Sequence, residues 1–195
     1  MEKMISLSDY ASVNIINNLN DVSCSVAFTK QSYGCDPVTV TLNQDEWRSL
    51  EVQLPSITAM AKLAWDEIQA GITPSLQPVQ RKLSDKYVLM LSAFAAPNGH
   101  VYVVTGIRRY FINKQGELTP KKEGSVTLSY HELCCLAQQT DEINDLLSNC
   151  LANVKSVVIH GYEDVQEAQK LLEQFWKVGW GKCHLILNKP STNQV

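Results

Sequence analysis

The chain has 195 residues, 45% of them apolar and 19% charged, with a formal net charge of −3. That composition excludes a disordered tail and a general polyanion binder, and it supplies enough apolar side chain for one large core or two small ones. Met1 to Tyr10 lacks an apolar run of signal-peptide length, and the longest apolar segment, Tyr87 to Pro97, is interrupted by Ser92 and too short to span a bilayer. An intracellular protein with no membrane segment is therefore expected.

The first elements read as strands: Ser12 to Ile16, Ser23 to Lys30 and Val38 to Leu42, separated by polar stretches at Asn17 to Asp21 and Tyr33 to Pro37. Asn43-Gln44-Asp45-Glu46 then has the form of a capping box, with Asn43 accepting from first-turn amides and Glu46 reaching back to the cap. Behind it Trp47, Leu50, Leu54, Ile57, Met60, Ala61, Ala64 and Trp65 recur near helical spacing as far as Ala70-Gly71. Pro55 lies inside that pattern and predicts a kink or a break, because it lacks an amide proton and clashes with the preceding turn. Gly71 to Gln80, with Pro74 and Pro78, reads as a linker.

Strand patterns return at Tyr87 to Ala95, Val101 to Asn113 and Ser125 to Leu128, with Pro97-Asn98-Gly99 and Lys114-Gln115-Gly116 as turns. Ser129 and Glu132 form a second capping box, opening a long helix with Leu133, Leu136, Ile143, Leu146, Leu147, Cys150 and Leu151 that is expected to end near Asn153. Beyond it Val154 to His160 reads as a strand, Glu163 to Lys177 as an amphipathic helix and His184 to Leu187 as a further strand. The motif Val40-Thr41-Leu42 followed by a capping box recurs 86 residues later as Val126-Thr127-Leu128 with Ser129, and Leu50 and Ile57 recur as Leu136 and Ile143. The expectation is an α+β protein of two related strand-strand-strand-helix units, 1–73 and 81–153, with a C-terminal strand-helix-strand extension at 154–195.

Charge separates the units. Between Arg81 and Lys122 there are eight basic residues against two acids, while the remainder has nine against eighteen. Residues 1–60 contain only Lys3, Lys30 and Arg48 as bases, against seven acids, so the first unit reads as a scaffold. Clustered cations suit a local phosphate-binding face, and a solvated surface accounts for them equally. A single strand of nucleic acid exposes base faces beside a flexible row of phosphates, so a general binder needs aromatic platforms among guanidinium and ammonium groups. Phe111 is the candidate platform, Arg108 a phosphate or base-face partner, and Arg109, Lys121 and Lys122 sources of positive potential. In a regular strand Arg108 and Phe111 point to opposite faces, so sharing a groove requires a bend or bulge between them. The alternative for Phe111, Tyr102 and Tyr110 is burial in the core.

The six cysteines form no CxxC pair and read as reduced thiols of a reducing compartment, and the four histidines stand apart. No phosphate loop, GxSxG, HExxH or DxDxDG-type motif occurs, so no enzyme, metal or cofactor is expected.

The run from Lys86 to Leu147 resembles the transcriptional coactivator family called positive cofactor four. The match is carried by Ile107-Arg108-Arg109-Tyr110-Phe111, by Gly116-Glu117-Leu118, Pro120, Lys122 and Gly124, and by Val126 to Leu128 with the capped helix through Ile143. The tandem arrangement is similar in architecture to the Whirly proteins, although their Lys-Gly-Lys-Ala-Ala-Leu signature is absent. The resemblance implies curved antiparallel four-stranded sheets with long kinked helices, packed as a pseudo-dimer, and single-stranded DNA as the ligand. It extends the candidate set to Lys86 and to His100, which replaces a lysine after the hairpin glycine. Thr119 and Glu123 stand where the family tends to carry bases, so weaker binding than in its better-charged members is implied. The expected function is non-catalytic binding of single-stranded DNA, or RNA, with self-association or protein partners. The alternative is an assembly module that keeps the fold without the binding.

Overall fold

The computed structural model describes residues 4–18, 23–32, 34–96, 99–116, 118–155 and 170, with the side chains at 18, 118, 120, 122, 123 and 152–155 outside the description. The expected C-terminal strand-helix-strand extension lies outside the described residues. The elements run β1 (Met4–Ser8), β2 (Ala11–Asn18), β3 (Ser23–Lys30), β4 (Val38–Leu42), α1 (Gln44–Gln69), β5 (Val79–Lys82), β6 (Tyr87–Ala95), β7 (Val101–Ile112), β8 (Leu118–Ser129), α2 (Tyr130–Gln138) and α3 (Thr140–Lys155). They form two four-stranded antiparallel sheets, β1-β2-β3-β4 and β5-β6-β7-β8. The chain is thus α+β.

Both sheets follow alternation. Val13, Val26, Phe28, Val40 and Leu42 fill one face of the first sheet, and Leu89, Leu91, Val103, Ile107, Val126 and Leu128 one face of the second. These residues and the buried stripes of the helices make one apolar cluster, with Trp47, Leu50 and Ile57 of α1 beside Leu133, Leu136 and Ile143 of α2 and α3. The helices also cross between units. Helix α1 packs on β6 and β7, α2 on β1, and α3 on β2 and β3. The Asn144 side chain joins α3 to α1, accepting from the Trp47 indole at 2.8 Å and donating to Glu51 at 2.7 Å.

Both capping boxes form, on Asn43 and on Ser129. Each capping glutamate keeps one oxygen for its own cap and gives the other to the opposite unit. Glu46 Oε2 accepts from the Asn43 amide at 2.9 Å and Oε1 from the Ser84 hydroxyl at 2.7 Å. Glu132 Oε2 accepts from the Ser129 amide at 2.9 Å, while Oε1 takes the Ser8 hydroxyl at 2.5 Å and the Lys30 ammonium. Burial pushes the Glu132 carboxyl up, but these hydrogen bonds and the Lys30 charge together hold it below the ordinary glutamate value. A depressed carboxyl contributes stability above its unfolded pKa that is lost as pH falls through the folded one. Glu132→Gln is therefore expected to cost about 2 kcal/mol at neutral pH. It should also flatten the loss of stability seen below about pH 4.5 in urea titrations across pH.

Several expectations are corrected. Each sheet has the four strands that the resemblance implies, where the residue patterns gave three: β1 and β5 are additional, and β5 begins inside the expected linker. Strand β8 starts at Leu118, seven residues before the expected Ser125. Helix α1 runs unbroken through Pro55. The second helix, with no proline, is the divided one: the Thr140 hydroxyl bonds the Leu136 and Ala137 carbonyls at 3.2 and 3.1 Å, competing for acceptors the continuing helix needs. Cys24 and Cys150 are not free thiols but a disulfide between β3 and α3, closing a separation of 126 residues. Cys35, Cys134 and Cys135 are free. Among the described residues no helix is long and apolar enough to cross a membrane.

Candidate nucleic-acid interface

The core-averted face of the second sheet presents, in register order, Phe94 opposite Tyr102, Ser92 opposite Val104, Met90 opposite Gly106 and Val88 opposite Arg108. Phe94 and Tyr102 are 50% and 43% exposed, with ring centroids 5.8 Å apart, so they stand as a solvent-facing aromatic pair at the hairpin end of β6 and β7. Arg108 lies back along the strand: a Cβ on Gly106 would meet its Nε at 3.2 Å and its Cγ at 3.5 Å. The absent side chain at Gly106 lets the guanidinium arm lie close to the sheet. From Tyr102 to Phe111 the strand spans roughly 30 Å at its usual rise.

At the other end the β7–β8 ladder shifts register between Arg108 and Tyr110, where Arg108 faces Ser125 but Tyr110 faces Pro120. The extra residues of β8 form a wide bulge, with Gly124 in the left-handed region at φ 74°. The extra residues lie in β8, so alternation along β7 continues and places Phe111 on the side of Arg109 rather than that of Arg108. Beyond the bulge Phe111 is 44% exposed rather than sealed in the core, and the Lys121 ammonium lies 6.0 Å from its ring centroid. Tyr110 takes the buried role, its hydroxyl donating to the Ser84 carbonyl at 2.8 Å. Ser84 is also the residue held by Glu46, so the helix cap of the first unit anchors the end of β7 that carries Phe111.

The remaining candidates are placed separately. Arg109, exposed, lies on the opposite side of β7 from Arg108 by alternation and packs along Gly124, where a Cβ would meet its Cδ at 3.7 Å. Lys86 is exposed in the β5–β6 turn, its carbonyl accepting the Tyr110 amide at 3.0 Å, so it belongs to the Phe111 end. His100 sits at the start of β7, near Tyr102 and far from Phe111 along the strand. The side chain of Lys122 lies outside the described residues. The structure thus joins Phe111 with Lys121, leaves Arg109 on the same side of β7 as Phe111 by alternation, and sets Arg108 and His100 apart from them. Sequence reasoning missed Phe94 and left Tyr102 undecided, although the alternation Leu89, Leu91, Ala93 against Ser92, Phe94 already directed Phe94 away from the core.

Matching the two ladders by register through Leu42 and Leu128 aligns Thr29 with Arg108, Ala27 with Gly106 and Asn14 with Met90. The first sheet thus presents Met4, Ser12, Asn14, Ile16, Thr29, Thr39 and Thr41 on its outer face, with a hydroxyl at the position of the Arg108 guanidinium and an amide at that of the Met90 thioether. The Thr29 and Thr39 hydroxyls bond one another at 3.0 Å.

No protein-family model matches the chain, and no curated protein matches its sequence. The interface is therefore read from its own chemistry.

Proposed function

We propose that this chain binds single-stranded nucleic acid, DNA before RNA, across the outer face and bulged end of its second sheet, with little sequence preference. The supporting observation is the chemistry of the second sheet: Phe94 and Tyr102 form an exposed aromatic pair at its hairpin end, Phe111 is exposed beside Lys121 at the other, and Arg108 lies on the outer face between the two ends, where the first-sheet positions aligned with Tyr102 and Arg108 are Ser23 and Thr29. Rings accept any base and cations accept any phosphate, hence the low specificity. The tandem arrangement fits a pseudo-dimer of the positive-cofactor-four and Whirly kind. Reciprocal capping-glutamate bonds, helices crossing to the opposite sheet and a single core support that reading.

The test is anisotropy of labelled single- and double-stranded oligonucleotides across a salt series. The single strand should be preferred, with a log–log salt slope near −0.7 for each phosphate neutralised. Arg108→Ala and Lys121→Ala should each make the slope shallower by about 0.7.

A second reading is favoured by one feature. Helices α1 and α2 border an apolar groove of about 800 Å³ lined by Pro55, Tyr130 and Cys134. Val52, in the lining, and Leu63, on the same helix, are 80% and 67% exposed. Such a surface suits self-association or a protein partner. Titrations that stay flat at low salt, together with concentration-dependent sedimentation, would favour assembly over binding.

A further inference from the structure

We propose that the cleft between the end of α1 and the start of β7 takes one unstacked nucleobase from the bound strand; this rests on the single-strand reading above. The cleft holds about 560 Å³, within the roughly 300–1,000 Å³ usual for small-molecule sites. Tyr102 belongs both to its wall and to the exposed aromatic pair with Phe94, so the cleft continues directly from the sheet face. A strand following β7 to its hairpin end therefore meets this opening as it leaves the sheet.

The lining suits a base. Trp65 is held in a fixed orientation, stacked on Tyr130 at 5.1 Å and 18° and edge-on to His131 at 5.1 Å. Gln69, Thr73 and His100 bring an amide, a hydroxyl and an imidazole, the mixed donors and acceptors that read a base edge. The lining has no carboxylate among the described residues to repel the attached phosphate. The nearby Glu67 is turned into its own loop, accepting the Ser75 amide and hydroxyl at 2.8 Å each, which lowers its pKa. The rim beside Gly71 and Gly99 is open, since a Cβ at either would meet nothing within 4 Å. The cleft would thus add one base-sensitive position to an otherwise tolerant interface.

The test uses the shortest oligothymidylate that binds with full affinity, which leaves no room for slippage, with a single abasic site stepped along it. Wild-type protein should lose roughly fivefold or more in affinity when the abasic site falls at one position near an end, the worth of one base–aromatic contact. In Gln69→Met/Thr73→Met, exposed positions whose substitution narrows the cleft and removes two polar groups from its lining, the loss at that position should shrink. Losses at positions over the sheet should persist. Identical abasic profiles in the two proteins would overturn the inference while leaving single-strand binding intact. No affinity of wild type for the intact strand would overturn both.

Discussion

Replacing Phe94 and Phe111 together with alanine is expected to weaken binding of single-stranded oligonucleotides by at least about 25-fold, because each base–aromatic stack is worth about 1–3 kcal/mol. The two rings lie at opposite ends of β7 and share no contact through which their effects would couple, so the losses should add. Phe111 also carries the Lys121 cation–π contact, and its loss releases that ammonium from a defined position. Both rings are about half buried, so the double truncation should also cost roughly 1–3 kcal/mol of stability. Anisotropy measures the first quantity and thermal unfolding the second. A loss of affinity smaller than about threefold in the folded variant would remove the stacking role from these residues.

Reduction of the Cys24–Cys150 disulfide is expected to lower stability by about 5 kcal/mol, on the chain-entropy estimate for a loop of 126 residues. The bond joins β3 of the first sheet to α3 of the second unit, so it closes nearly the whole described chain. For a domain of this size the melting temperature should fall by roughly 10–20 °C. Urea unfolding with and without a thiol reductant measures the effect. Cys150→Ser, half-exposed at its end of the bridge, should match the reduced protein and be insensitive to reductant. Coincident midpoints for oxidised and reduced wild type would show that the bond contributes nothing.

The sequence made much of the second sheet and the two capped helix starts legible because each rests on local chemistry. Tyr87–Ala95 alternates cleanly, and Asn43 with Glu46 and Ser129 with Glu132 form the same three-residue spacing. What escaped notice depends on distant partners. Strand β5, Val-Gln-Arg-Lys, carries one apolar residue in four and is a strand because β6 pairs with it. Strand β1 is five residues long, and only Ile5 and Leu7 mark its inner face. Pro55 is absorbed in α1, whereas Thr140 divides its counterpart by a side-chain bond that no propensity scale registers. The disulfide was hidden for the same reason, since its two cysteines are brought together only by the packing of α3 on β3. At the interface, the cations were found by clustering in sequence, and that is why Arg109 was grouped with Arg108 although alternation separates them. Phe94 lay outside the charged cluster and was overlooked, though its ring is among the most exposed on the sheet.

The exchange of helices between the two sheets bears on how the protein is made. Translation delivers β3 long before α3, the element that covers its inner face, and at about 5–20 residues per second the interval is on the order of ten seconds. During that time Val26 and Phe28 have no final partner on the far unit, and the nascent first half must be shielded by the ribosome or a chaperone or remain loosely collapsed. A ribosome-bound chain stalled before residue 130 should accordingly be far more protease-sensitive than one stalled after the whole of α3 has emerged.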